Sequence, residues 1–245
     1  MFKRKKIENT LEYGIIVDKK EYSSKLEDHN RLRDNVLFLN ADENKKVIQI
    51  ASSVQSEGKT TVISNLAVNL GLSDKKVVIL DLDFRKPHLH HMFGVEMGKG
   101  IAEFMLDKTD SVNVIKHTKY ENVDIITRGK RISNPSVVFI SEKFKNFLEY
   151  LKTQYDYVLL DCAPVLQISD YLNITPLSDG VVFVVSYGTT TRNQVQDAIK
   201  ELQKAGANIL GTVLNKYENK KSFGYGKYYG RYYSYRIYGE EKEEK

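Results

Sequence analysis

The segment VIQIASSVQSEGKTT, residues 47–61, decides how the rest of the chain reads. Its first five residues are a β-branched, apolar run of strand character. Serines and a glycine follow, and then residues 60–72 place Ile63, Leu66, Ala67 and Leu70 at the i, i+3, i+4, i+7 spacing of an amphipathic helix. At the strand-to-helix turn stand Gly58, Lys59 and Thr60, the end of the phosphate-loop pattern G-x-x-x-x-G-K-[ST], with Ser53 in place of the first glycine. The physics of that context is specific. Successive backbone N–H groups and the positive end of the helix dipole face one point, where a phosphate is stabilised. Lys59 would meet the β- and γ-phosphates as a point charge, and the Thr60 hydroxyl would ligate Mg²⁺. The residues 55–61 (Gln55, Ser56, Glu57, Gly58, Lys59, Thr60 and Thr61) form the expected nucleotide cradle. A chance GKT in a surface turn would lack the flanking strand and helix.

Working outward, similar β-branched runs occur at 77–80, 123–127, 157–160, 181–185 and 209–214. Helix-like segments alternate with them. Residues 141–152 align Phe144, Phe147, Leu148 and Leu151, and residues 191–204 align Val195, Ile199 and Leu202. Apolar strands alternating with helices predict an α/β fold, a mostly parallel sheet of P-loop NTPase type with helices on both faces. Residues 26–39 read as a separate helix ahead of the first strand, and residues 1–25 as an irregular lead-in. The domain is expected over 26–216, with a flexible tyrosine-rich tail over 217–245.

Two further strands end in carboxylates. VVILDLDFR places Asp81 and Asp83 at one strand end, and YVLLDCAP places Asp161 at another. The carboxyl ends of parallel strands form the ligand edge of such sheets, so all three converge on the GKT loop. Mg²⁺ takes hard oxygen ligands and keeps several waters, so one or two carboxylates suffice. A phenolic phosphoryl acceptor, with its pKa near 10, would gain from a carboxylate that takes its proton.

Composition excludes several classes. One cysteine among 245 residues rules out a disulfide framework and a multi-cysteine zinc site. No apolar run reaches the roughly 18 residues needed to span a bilayer. MFKRKK is followed by no apolar core of a secretory signal, so a reducing, cytoplasmic setting is expected. The net charge of +5 is too modest to argue for nucleic acid. His88, His90 and His91 lack the partners of the usual zinc spacing, and Cys162 reads as packing behind a strand end.

These residues resemble the bacterial tyrosine kinases of capsule and exopolysaccharide synthesis, the BY-kinases, in their stand-alone cytoplasmic form. SSVQSEGKTT matches the family's Walker A, VVILDLDFRKP its additional A′ motif and YVLLDCAP its Walker B, with a terminal tyrosine cluster behind them. The resemblance implies ATP and Mg²⁺ as cofactors. By position it implies Thr60, Asp83 and Asp161 on the metal and Asp81 as proton acceptor; spacing alone does not separate Asp83 from Asp161. It also implies that Arg85 stabilises phosphate charge or orders its loop, and that Asn215 of VLNK lies on the adenine side. In the helix EDHNRLRDNV, Glu27 and Arg33 match the family's ring-interface pattern E-x-x-R-x-x-R, whose middle arginine is Asn30 here. Gln55 stands where the family usually has proline, which would leave the loop looser.

Eight of the 16 tyrosines fall between Tyr217 and Tyr238. The resemblance makes Tyr225, Tyr228, Tyr229, Tyr232, Tyr233, Tyr235 and Tyr238 the autophosphorylation sites, modified between subunits of a homo-oligomeric ring. From Lys216 onward there are eight basic and five acidic residues, and each phosphotyrosine adds roughly −1.5 to −2 charge. Full modification would reverse the tail's charge and loosen a ring. The expected partners are a membrane-bound activator, which would hold the protein at the inner face of the membrane, and a phosphotyrosine phosphatase. A rival use of the tail is single-strand nucleic-acid stacking, disfavoured by its small positive charge. The rival for the whole chain is an ATPase switch of the partition or septum-placement type. Those relatives carry a signature lysine four positions before the loop's last glycine, where this chain has Val54.

Overall fold

The computed structural model describes residues 14–17, 24–40, 45–106 and 109–217. Contacts divide the chain into the units Met1–Asn215 and Lys216–Lys245; of the second, only Lys216 and Tyr217 are described. The tail tyrosines 225–238 therefore lie outside the described residues.

In chain order the elements are α1 (Ser24–Asn40), β1 (Val47–Ser52), α2 (Lys59–Gly71), β2 (Val77–Asp81), α3 (Leu89–Phe93), α4 (Ile101–Met105), β3 (Ile115–His117) and β4 (Val123–Ile126). There follow α5 (Ser136–Phe139), α6 (Glu142–Gln154), β5 (Tyr157–Asp161), α7 (Tyr171–Ile174), β6 (Gly180–Ser186), α8 (Arg192–Lys204) and β7 (Ile209–Asn215). The seven strands form one sheet in the order β3-β4-β2-β5-β1-β6-β7. All pairs are parallel except β3 with β4. Strand β1 lies between β5 and β6, so the chain leaves it for one side of the sheet and later fills the other. Ligand crevices form at such a reversal, beyond the strands' carboxyl ends.

The period of two along the strands sorts the core into layers. Ile48 and Ile50 of β1, Ile79 of β2 and Leu159 of β5 pack with α1, α2 and α3 on one face. Val78, Leu80, Val158 and Leu160 face the opposite way, onto Ile101, Phe139, Phe144, Phe147 and Leu151. Val181 and Phe183 of β6 meet Ala198 and Leu202 of α8. Helices thus cover both faces, as expected. The edge strand β7 departs from that expectation. It has β6 as its one strand neighbour, and Gly211, Thr212 and Leu214 are exposed.

Helix α2 is buried beyond the stripe its periodicity marks, because residues from Val62 to Gly71 are all inside. Its outer side is roofed twice. Asn65 accepts from Ile16 N (2.8 Å) and donates to Gly14 O (3.2 Å), which seats Ile15 and Val17 in the core. The expected irregular lead-in therefore contributes apolar side chains. Asn69 donates to Asn30 of α1 (2.9 Å) and accepts from Arg33 (3.0 Å). The elements missing from the sequence reading, α3, α4, α5, α7 and β3, span three to five residues each. Such lengths are too short for a period to register.

Gly100 shows how tightly the loop after β4 is seated. Its N–H donates to the buried Glu103 carboxylate (2.9 Å), and Ile101 N donates to Thr127 O (2.9 Å). A Cβ at Gly100 would lie 2.1 Å from Thr127 O and 2.5 Å from Gly129 N, both backbone atoms. Gly100→Ala should cost about 1–3 kcal/mol in urea unfolding, the scale of overpacking. Gly211→Ala, with nothing within 4 Å, should stay within about 0.5 kcal/mol of the parent.

Candidate active site

The turn between β1 and α2 is shaped by two left-handed residues, Ser56 (φ 66°) and Gly58 (φ 94°). Gly58 has no substitute: a Cβ there would meet Asn215 Nδ2 at 2.0 Å. Asn215, the last residue of β7, donates that nitrogen to Glu57 O (2.8 Å). Ser53 has no left-handed backbone, so this position does not demand the glycine of the full pattern. The first helical bond of α2 runs from Val62 N to Gly58 O, so the N–H groups of Lys59, Thr60 and Thr61 have no intrahelical acceptor. These groups can serve an anion. Lys59 is buried, with its ammonium donating to Ser52 Oγ at 3.1 Å.

The carboxylates arrive by sheet register. Asp81 and Asp161 are paired residues on the adjacent parallel strands β2 and β5. Thr60 Oγ1 donates to Asp161 Oδ2 (2.7 Å), and Leu89 N donates to Asp81 Oδ2 (3.2 Å). The Oδ1 atom of each is buried without a hydrogen-bond partner. Desolvation pushes the Asp161 pKa up to about 6, against the opposing pull of the Lys59 charge and the Thr60 hydrogen bond, with Asp83 adding repulsion. Desolvation raises Asp81 well above the carboxylate range, with further repulsion from Asp161. Asp83 is half-buried and accepts Arg85 N (3.2 Å) and Lys86 N (2.9 Å), which closes the turn after β2.

The structure thus brings Lys59, Thr60, Asp81, Asp83 and Asp161 together. Arg85 is exposed, held only at its backbone by Asp83 among the hydrogen bonds described. Gln55 is exposed and accepts from Lys86 Nζ (2.9 Å), so the phosphate loop and the A′ turn are tied. The Glu57 carboxylate is buried rather than turned to the cradle, engaging Val54 N and Ser186 N. Glu27 pairs with Arg31 one turn away (3.7 Å), and Arg33 lies on Asn69 and Asp34 of its own chain. Ser52 lies in the Walker A match, but its contact with Lys59 was not foreseen. Ser186, Thr190 and Arg128, whose Nη1 donates to Phe84 O (3.0 Å), escaped the sequence reading, and no motif marks them; they became visible through their contacts. Cys162 is buried, which raises its thiol pKa, and its sulfur contacts Leu160 O at 3.7 Å.

Nucleotide and Mg²⁺ fit this donor set. A hydroxyl, two carboxylate oxygens without partners and a buried ammonium offer hard oxygens and one positive charge at the end of a 13-residue helix. Among the described residues no group of three or more His, Cys, Asp or Glu is arranged to hold a metal.

A profile of the AAA domain family matches residues 45–212. The chain is 31% identical to CapB of Staphylococcus aureus over 216 residues, which are 88% of this chain and 95% of that protein. It is 30% identical to the tyrosine-protein kinase YwqD of Bacillus subtilis over 227 residues, 93% of this chain and 95% of that one. The chain belongs to the bacterial tyrosine kinase family. Solved structures agree. The chimerical protein CapA2B2 matches with a TM-score of 0.78 at 30% identity, covering 82% of this chain and 88% of that one. The kinase domain of the Escherichia coli tyrosine kinase ETK follows at 0.73 and 29%, covering 80% and 79%. The septum site-determining protein MinD of Pyrococcus horikoshii, complexed with Mg-ADP, reaches only 0.61 at 27%, with 72% of each chain covered. The kinase reading therefore stands over the septum-placement one.

The buried carboxylates generate a linkage prediction. The folded-state pKa of Asp161 lies above its unfolded value, so the native state holds the extra proton between about pH 4 and 6. Stability of the nucleotide-free protein should rise as pH falls through that window. Asp161→Asn should stabilise it at pH 7.5 by on the order of 1–3 kcal/mol, with the two proteins converging near pH 4. Urea titrations at the two pH values check this.

Proposed function

We propose that this kinase transfers the γ-phosphoryl group of Mg-ATP to tyrosines of its own C-terminal cluster, Tyr225 to Tyr238, presented by a neighbouring copy. The observation that carries the reading is the meeting of Lys59, Thr60, Asp81 and Asp161 at one sheet edge, with two carboxylate oxygens left without partners. In this reading Lys59 and the first N–H groups of α2 hold the phosphates. Thr60 and Asp161, with Asp83, hold Mg²⁺. When bound, that ion neutralises phosphate charge and orients the triphosphate.

Asp81 takes the phenolic proton as the tyrosine oxygen bonds to the γ-phosphorus and the bond to the β–γ bridging oxygen breaks, releasing ADP. Its raised pKa makes it a stronger base than an ordinary carboxylate, closer to the phenol it deprotonates. Positioning and charge neutralisation supply most of the catalysis, as phosphoryl transfer generally requires.

Membership of the bacterial tyrosine kinase family supports a role for this kinase in the control of capsule or exopolysaccharide synthesis. Among the described residues no helix is long and apolar enough to cross a membrane. Its likeness to the chimerical protein CapA2B2 is consistent with a membrane-bound activator that keeps the kinase peripheral to the membrane. A cognate phosphatase would reset the tail, and a ring of copies would present it in trans, with Glu27 and Arg33 at the contact. The tail's small positive charge argues against nucleic acid as a partner.

The full chain, incubated with Mg-ATP and the activator's cytoplasmic segment, should acquire phosphotyrosine within 225–238, mapped by mass spectrometry. Lys59→Met should lower transfer by about two to three orders of magnitude while the fold persists, the scale of losing one preorganised electrostatic contact. Conversion of the seven tyrosines to phenylalanine should remove most labelling and leave Mg-ATP binding intact. ATP hydrolysis without phosphotyrosine would overturn the reading in favour of a nucleotide switch.

A further inference from the structure

The Glu57 carboxylate has no role in the chemistry above, yet it is almost wholly buried in the phosphate loop. Oε2 accepts Val54 N at 2.7 Å, spanning the loop from one end to the other. Oε1 accepts Ser186 N, at the end of β6, at 3.2 Å, and the Thr190 hydroxyl from the loop between β6 and α8. That second loop is closed on itself by Thr190 N donating to Ser186 O (3.2 Å). It is also joined to β7 by Tyr187 N donating to Asn215 O (2.9 Å). Asn215 returns to Glu57 through its side-chain amide, 2.8 Å from Glu57 O. The hydrogen bonds form a closed circuit: phosphate loop, β6–α8 loop, end of β7, phosphate loop.

We infer that Glu57 is a positioning residue, which holds the phosphate loop in its nucleotide-ready shape and locks it to the Ser186–Thr191 loop. The inference rests on the reading that residues 55–61 take nucleotide phosphate. Three points argue for it. Gln55 brings none of proline's stiffness, and Ser56 holds a left-handed backbone that non-glycine residues avoid. The turn therefore needs an external tie, and the Glu57–Val54 bond closes it across the strained residue. Only a carboxylate can accept N–H donors on both sides at once. A glutamine would turn its NH₂ group toward either Val54 N or Ser186 N. Finally, an anion aimed into the cradle would repel phosphate, whereas this one is turned away and spent on three donors.

Thr190 is the discriminating position because it belongs to neither the phosphate loop nor the catalytic set, and it is only half-buried. Thr190→Val keeps its shape and removes one donor. Calorimetric titration of the full chain with Mg-ADP should show Glu57→Gln weakened by about tenfold or more, the scale of a hydrogen bond to a charged group. Thr190→Val should be weakened several-fold. The double variant should be no weaker than Glu57→Gln beyond about twofold, because both changes break one circuit. In the nucleotide-free protein, amide exchange of residues 54–58 should accelerate in Thr190→Val, although the change lies in another loop.

Affinities of both variants within twofold of the parent, or exchange at 54–58 unchanged by Thr190→Val, would overturn the inference. If Glu57→Gln fails to fold, Thr190→Val decides alone. A parent chain that binds no Mg-ADP would sink the phosphate-site reading, and the exchange measurement would still decide the tie between the loops.

Discussion

The structure depends on a register. Parallel pairing of β2 with β5 sets Asp81 beside Asp161, at strand ends that are out of water. Two desolvated carboxylates in adjacent strands repel each other and resist ionisation. Their nearby compensation is a buried ammonium, a threonine hydroxyl and the backbone N–H groups of Leu89 and Asp83. The nucleotide-free site is therefore electrostatically incomplete. A divalent cation carrying phosphate oxygens would relieve the repulsion, which makes ligand affinity the counterpart of the instability stored there. The fold around the two carboxyls must hold them in place against that repulsion.

The packing around α2 does this. The helix that carries Lys59 and Thr60 is enclosed by the sheet on one side and by α1 and residues 14–17 on the other. Its roof is polar as well as apolar, through Asn65 and the Asn30–Asn69–Arg33 chain. Buried amides with both ends satisfied allow only one placement of the helix, because a shift would leave them unpaired. The same α1 carries Glu27 and Arg33. A contact between copies at that helix would therefore bear on the element that roofs the phosphate-binding helix.

Much of this was legible beforehand. Every expected strand and each of the four longer helices is present, since a β-branched apolar run shows even at four residues and a period of 3.6 shows over a dozen or more. The positions of Asp81 and Asp161 were also legible, because each closes a strand whose character is plain. Legibility failed where the determining partner is distant in sequence. Glu57 reads as one more loop residue until Ser186 and Thr190, over 120 positions away, are found on its carboxylate. Arg33 reads as a surface contact until Asn69 is found beneath it. The lead-in reads as irregular because Ile15 and Val17 are buried through one asparagine rather than through any pattern.

The phosphate loop bears on the choice between a kinase and a nucleotide switch. The switch reading expects a lysine at the position four before the loop's last glycine. Here it is Val54, half-buried, with its N–H held by Glu57. The loop thus presents one cation, Lys59, and draws its remaining order from within its own chain. Carboxyl groups stand on the opposite wall, Asp81 and Asp161 at the paired strand ends, with Asp83 turned into the A′ bend. Mg²⁺ and Lys59 would offset most of the triphosphate charge, and a carboxylate would remain as a base for an incoming hydroxyl. The backbone beneath this edge is shared with MinD of Pyrococcus horikoshii, so the choice between kinase and switch rests on the side chains that the edge carries.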